Sequence, residues 1–265
     1  MTLRRRGGCG VAVVGSAAAW LDPVLVDTPD DWPQLAIEVV VEGDVDAPGG
    51  RGFRVPLGHA LVDGRSSAQL RYRRPPPVGA IASALAWVAA EVRSDGGAVA
   101  LRGGAFAWAG RAYAVLGPPL AGTTSVLAAL ADAGADVVGD DAVVLQDGQL
   151  LAGPRVLWAR SGDGRRAEVA LRAVAPATPF EGWFRIEDQP ALSVAPLPVP
   201  ERVALLAAHC LGRNPSPTAP IELAARPGWR VGRSYADAPA AVAEVMLEAV
   251  DAAAGQASSS PRSRR

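Results

Sequence analysis

Apolar and polar positions alternate in short runs over the first 75 or so residues. Val11-Ala12-Val13-Val14, Ile37-Glu38-Val39-Val40-Val41 and Phe53-Arg54-Val55 stand between Pro, Asp and Gly clusters, which predicts a strand-rich region. Pro75-Pro76-Pro77 is a stiff connector. After it Ile81, Leu85, Val88 and Val92 recur at helical spacing on one face, so an amphipathic helix is predicted, stopped by Asp95-Gly96-Gly97. The pattern then shortens again. Ala98 to Leu101, Ala105 to Trp108 and Arg111 to Leu116 read as strands, with Ala109-Gly110 turning the chain between the last two. Thr123 to Ala133 reads as a helix ended by Gly134, and Asp136-Val137-Val138 and Ala142 to Leu145 as strands, with Asp147-Gly148 as a hairpin turn. Two more helices are predicted: Pro200 to Leu211, with Pro200 in its first turn, and Pro239 to Ala253 behind an Asp237 cap. The Ser- and Arg-rich end is expected to be disordered, and no internal repeat is visible. The resulting division is a strand-rich region ending in a helix over 1–97, an α/β core over 98–253, and a tail over 254–265.

The totals narrow the function classes. A chain of 265 residues, 49% hydrophobic and 20% charged, can bury a substantial core and is not a disordered polymer. A net charge of −1 leaves no electrostatic footprint for nucleic acid. Cys9 and Cys210 lie far apart without metal-ligand spacing, and His59 and His209 are the only histidines, which argues against a zinc site or a disulfide framework. Arg4-Arg5-Arg6 before an apolar stretch imitates a secretory signal, but the stretch is short, Gly-interrupted, low in Leu and reads equally well as a first strand. The uncharged run Pro75 to Ala90 is too short to span a bilayer. The expectation is a cytoplasmic protein without a membrane or nucleic-acid partner.

All 26 basic residues are Arg, and Lys is absent. GC-rich coding accounts for this bias, since Arg serves surface charge as well as Lys does. The absence still excludes every mechanism in which the chain supplies a Lys, including a phosphate-loop lysine.

One constellation carries chemical information. The apolar run Arg111 to Leu116 leads into Gly117-Pro118-Pro119-Leu120-Ala121-Gly122-Thr123-Thr124-Ser125, and a predicted helix follows. Gly117 and Gly122 are spaced as in G-x-x-x-x-G-K-[ST], a loop whose backbone N–H groups wrap a phosphate at the positive end of a helix. Thr124 stands where a hydroxyl would ligate Mg²⁺, and Thr123 stands where the lysine would be. Downstream, Val137-Val138-Gly139-Asp140-Asp141 ends an apolar run on two carboxylates. In phosphoryl transfer one such group can hold Mg²⁺ and the other can take the acceptor's proton. Taken alone, Gly-Asp-Asp fits a plain turn as well.

From about Leu101 to Gln149 the chain resembles the HPr serine kinase/phosphorylase family, on the loop Gly117 to Ser125 and on Gly134-Ala135-Asp136-Val137-Val138-Gly139-Asp140-Asp141. The resemblance implies a P-loop HPr-kinase-like α/β core with additional β-strands, related to ATP-dependent phosphoenolpyruvate carboxykinase. It implies ATP and Mg²⁺ as cofactors and phosphorylation of a hydroxyl acceptor. It makes Gly117, Gly122, Thr123, Thr124 and Ser125 nucleotide-binding residues, Thr124 and Asp141 metal ligands, and Asp140 the catalytic base. The departures are Thr123 for lysine, Leu120 at a position usually glycine, Pro119 without an N–H, and Arg102 where the family often carries His. Arg102, Arg230 and Arg233 are candidates by type to replace the missing charge. Two readings follow: a weak or inactive kinase with a degenerate Walker A loop, or a non-catalytic scaffold that keeps the fold and binds a protein or peptide partner, in the setting of bacterial peptide biosynthesis. A third takes the glycine spacing as chance in an Ala- and Gly-rich chain. Trp20, Trp32, Trp87, Trp108, Trp158, Trp183 and Trp229 are assigned mostly to core or rim packing, and His59 and His209 to structural roles.

Overall fold

The structure, a computed structural model, describes residues 4–7, 11–14, 35–41, 51–63, 67–160, 165–172, 174–211 and 218–259. Cys9, Trp20 and Trp32 lie outside them. The first region forms a six-stranded sheet of β1 (Arg4–Gly7), β2 (Val11–Val14), β3 (Leu35–Val41), β4 (Arg51–Val55), β5 (Gly58–Asp63) and β6 (Ser67–Tyr72), in the order β1-β2-β3-β6-β5-β4. The three predicted strands are β2, β3 and β4. Period-two alternation is clear in β6, where Ala68, Leu70 and Tyr72 point inward and the residues between them are half-buried.

Helix α1 (Val78–Asp95) follows the three prolines, and its four predicted apolar positions are all buried. It is not amphipathic, however. Ala80, Ala82, Ala84, Ala86, Ala89 and Ala90 are buried as well, because their small side chains let strands approach from several sides. Valines and leucines of the first sheet share one apolar cluster with α1 and with Ala100, Ala142, Val144 and Leu151 from further along the chain.

The rest of the chain builds a second, ten-stranded sheet. Its strands begin with β7 (Val99–Arg102), β8 (Gly104–Trp108) and β9 (Arg111–Leu116). Helix α2 (Thr123–Asp132) comes next, then β10 (Asp136–Gly139), β11 (Ala142–Gln146) and β12 (Gln149–Leu151). Strands β13 (Val156–Arg160) and β14 (Arg166–Ala170) pair only with each other. The sheet resumes with β15 (Ala177–Asp188) and β16 (Ser193–Pro196), and after helix α3 (Val199–His209) with β17 (Cys210–Leu211). Helix α4 (Ala219–Ala224), β18 (Gly228–Arg233) and helix α5 (Pro239–Ser259) complete the described chain. The path β10-β8-β9-β15-β12-β11-β7-β17 carries β18 and β16 as a branch on β15. Within it β9, β15 and β18 run parallel, so Leu116, Asp188 and Arg233 end at one edge. Ligands in such sheets bind beyond the carboxyl ends of the strands. The fold is mixed α/β, as expected.

Two packing decisions place α2 over that edge. Phe106, Tyr113, Phe184 and Trp229 stack and tilt on one sheet face, with ring centroids 5.4 Å apart for Phe106–Tyr113 and 5.0 Å for Phe184–Trp229. Val126, Leu127 and Leu130 of α2 and Val242, Ala243, Met246 and Val250 of α5 close over this layer. Burying seven such side chains supplies on the order of 10 kcal/mol before entropy is counted.

Three boundaries differ from expectation. The helix predicted to Leu211 ends at His209, because Cys210 and Leu211 pair with Leu101 and Ala100 as an added strand. Asp237 does not cap α5; its carboxylate accepts the Ser234 N–H at 2.7 Å, and Ala238 supplies the first helical carbonyl. Helix α5 runs past Ala253 to Ser259. Among the described residues no helix is long and apolar enough to cross a membrane.

Candidate functional site

Strand β9 delivers the chain to Gly117, where an added Cβ would lie 3.0 Å from Ala121 Cβ and 3.3 Å from the Ile186 carbonyl oxygen. The loop therefore lies tight against β15. Its crest is a four-residue turn closed by Ala121 N–H to the Pro118 carbonyl at 3.0 Å. Pro119 presets the first central position, and Leu120 holds the second at φ 69°. That is the dihedral pattern of a type II turn, which ordinarily requires Gly at Leu120's place. Leu120 is 74% exposed, so no packing compensates the strain.

Gly122, at φ 83°, swings the chain into α2. An added Cβ there would be strained by the positive φ and would lie 3.1 Å from a guanidinium nitrogen of Arg233, which would have to shift slightly. The first intrahelical bond is Val126 N–H to the Gly122 carbonyl at 3.0 Å. The N–H groups of Thr123, Thr124 and Ser125 thus have no helical acceptor, no side chain caps them, and no acidic residue occupies the first turn. Such an end attracts anions.

The acid pair comes to the same place. Asp140 and Asp141 form a three-residue turn after β10, with Ala142 N–H on the Asp140 carbonyl at 2.7 Å and Asp141 at φ 64°. The Asp141 carbonyl accepts the Gly103 N–H at 3.1 Å, fastening the pair beside the end of β7. Gly103, at φ 155°, packs so closely on Val115 and Leu116 that an added Cβ would come within 2.6 Å of both. The Thr124 hydroxyl donates to the Asp140 carboxylate, and Asp141 N–H donates to it as well. Desolvation of the half-buried Asp140 carboxyl, followed by the charge of Asp141, still outweighs these bonds and pushes its pKa up to about 7.

Together these groups line a cleft of about 290 Å³: Gly117 to Ser125, Asp140 and Asp141, with Arg102, Gly103, Trp158, Arg160 and Arg166 completing the wall. Gly117, Gly122, Thr123, Thr124, Ser125, Asp140 and Asp141, all singled out in the sequence, are therefore neighbours. Of the three candidate arginines only Arg102 lines this cleft. Arg230 is taken by Glu187 and Glu201. Arg233 lies behind the loop, donating to the carbonyls of Ser234 and Asp237. The donor set of Thr124, Asp140 and Asp141 is all oxygen, which suits Mg²⁺ completed by phosphate and water. Among the described residues no group of three or more His, Cys, Asp or Glu could hold a metal without such help.

Sequence reasoning missed three participants. Trp158, Arg160 and Arg166 come from the β13–β14 hairpin, far from the motif, and only the tertiary fold brings them in. His209, expected to be structural, braces the loop. Nε2 lies 3.1 Å from the Gly117 carbonyl and Nδ1 2.9 Å from the Leu205 carbonyl, so a neutral ring donates to one of the two. His59 is exposed on β5 and takes no part in the cleft.

No family model and no curated protein matches the sequence. Among solved structures the chain is similar to the Hpr(Ser) kinase/phosphatase from Coxiella burnetii, at 10% identity and a TM-score of 0.35, over 58% of this chain and 97% of that one. The likeness is a distant structural one.

Proposed function

We propose that the cleft is a phosphate-loop site of HPr-kinase-related type, with ATP and Mg²⁺ as ligands and slow or vestigial phosphoryl transfer to a hydroxyl acceptor. The observation that carries this reading is the Thr124 hydroxyl on the Asp140 carboxylate, beside the three free amides of α2. A chance match of glycine spacing has no reason to bring a hydroxyl from the first turn of α2 together with a carboxylate that follows β10.

In this reading the N–H groups of Thr123, Thr124 and Ser125 hold a phosphate of the nucleotide. Thr124 and Asp141 would hold Mg²⁺, which when bound neutralises charge on the transferring group. Asp140, with a pKa near neutral, takes the proton of the acceptor hydroxyl as its oxygen bonds to phosphorus and the terminal phosphoanhydride bond breaks. Thr123 supplies no charge where a lysine would stabilise the transition state. Such a contact in a closed site is worth about 3 kcal/mol, or roughly a hundredfold in rate. Pro118 and Pro119 also remove two N–H donors. The second reading, a nucleotide-binding or empty scaffold with a protein or peptide partner, rests on these same losses.

The test is a melting series with Mg-ATP. At a hundred times its Kd the nucleotide raises stability by about 2.7 kcal/mol, or roughly 5–10 °C for a chain of this size. No shift at millimolar Mg-ATP would remove the nucleotide reading and leave the scaffold.

A further inference from the structure

The β13–β14 hairpin contains an arrangement that the phosphate-loop reading does not use. Its register sets Arg160 directly opposite Arg166. Directly opposed residues of an antiparallel pair share a face, with Cβ atoms about 5 Å apart, and like charges there destabilise the hairpin. Both side chains line the cleft. Neither makes a close ion pair among the described residues, and Arg166 feels the charge of Asp140 across the cleft.

The hairpin's own surroundings hold the pair in place, and Asp140 offsets only part of its charge. Trp158, two residues before Arg160 and on the same face, carries the Arg166 guanidinium over its ring at 4.3 Å and accepts a hydrogen bond on its carbonyl at 3.3 Å. Glu168, opposite Trp158 on the same face, is engaged instead by the Gly79 N–H of α1, which it accepts at 3.0 Å. Trp158 also packs against Gly79, where an added Cβ would meet its ring at 2.7 Å. A stem anchored on α1 thus presents two planar forks to the cleft. In a chain whose cations are all Arg, residue type says little about selection, but a register that opposes two guanidinia on one wall of the cleft does.

We propose that Arg160 and Arg166 form an oxyanion clamp that takes a phosphate or carboxylate group of the acceptor, so that the acceptor is an anionic hydroxyl compound. The proposal deepens the phosphate-loop reading and rests on it for the word acceptor, but the clamp itself does not depend on the loop. An oxyanion bridging both forks removes the repulsion of the empty rung and pairs bidentately with each guanidinium. The alternative source of the oxyanion is the terminal phosphate of the nucleotide.

Inorganic phosphate is the probe, titrated calorimetrically with and without saturating Mg-ADP, in the full chain and in Arg160→Gln, Arg166→Gln and Gly122→Ala. The expected result is a tenfold or greater loss of phosphate affinity in each arginine variant, with Mg-ADP affinity within about twofold of the parent. Gly122→Ala should do the reverse. Both arginines lie at the exposed edge of the hairpin. The melting temperature of ligand-free Arg160→Gln is therefore expected to equal or exceed that of the parent, which also certifies folding. Phosphate affinity unchanged in both arginine variants overturns the clamp. Failure of Mg-ADP to bind while phosphate binding stays arginine-dependent overturns the loop reading alone. Retention of phosphate beside Mg-ATP supports the acceptor as its source, and displacement by Mg-ATP but not Mg-ADP gives the clamp to the nucleotide instead.

Discussion

Replacing Asp140 by Asn should change how stability depends on pH, in a direction the structure fixes. In the folded chain desolvation and the neighbouring Asp141 push the Asp140 pKa from 3.8 up to about 7. The unfolded chain returns it to the ordinary value. Between these two values the native state binds a proton that the unfolded state has lost, so stability is full below about pH 4 and falls as pH rises through 7. The whole displacement corresponds to about 4 kcal/mol, a large part of a net stability of roughly 5–15 kcal/mol. Between pH 5 and pH 8 a few kcal/mol of that is lost, which lowers the melting temperature by several degrees. Asn keeps an acceptor oxygen for Thr124 and for Asp141 N–H but cannot ionise. The assay is a pair of melting or urea series at half-unit steps of pH, parent against Asp140→Asn, because titrations remote from the Asp140–Asp141 pair cancel in the difference. The variant should gain on the parent steadily above pH 5 and level off above pH 8. Parallel curves would refute the reasoning, since they would mean that Asp140 ionises in the fold as it does in water.

Three further outcomes follow from local geometry. Leu120→Gly should stabilise by about 0.5–1 kcal/mol, because the relief of a left-handed leucine exceeds the added freedom of the unfolded chain; a lower melting temperature would contradict a strained crest. Gly122→Ala should cost about 1–2 kcal/mol through its φ of 83° and the Arg233 guanidinium behind it. Its melting temperature should recover when Arg233 is shortened to Ala if the steric part dominates, and stay low if the dihedral does. Tyr72→Phe should stabilise by about 1 kcal/mol in urea melts, because the Tyr72 hydroxyl is buried without a hydrogen-bond partner among the described residues; a loss of more than 1 kcal/mol would reveal a partner.

Local elements of the core were legible because their signals are short-range. The Asp147-Gly148 hairpin, the Gly134 stop after α2 and the span of β9 all stand where turn chemistry and apolar runs placed them. The signals failed where a distant segment changed the outcome. Cys210 and Leu211 read as helix, but strand β7 offered them a ladder and took them. The apolar face of α1 was visible, whereas its alanine-rich remainder reads as indifferent until strands are known to press on it from several sides. Asp237 had the type and position of a cap, but the closer Ser234 N–H claimed its carboxylate.

The candidate site divides in the same way. The sequence by itself determined the loop: two glycines five residues apart, a strand before them, a helix after, hydroxyls at its start, and no lysine. It also supplied the acid pair at the end of an apolar run. Only the tertiary structure decided that the loop and the acids meet, since Thr124 reaches Asp140 through the packing of α2 on β8 and β10. It alone moved Arg230 out of contention by pairing it with Glu187 and Glu201, and brought Arg160 and Arg166 in. The reason is physical. Dihedral and periodic preferences act over a few residues and survive in the sequence, whereas the partner of a charge is whatever the folded chain sets beside it.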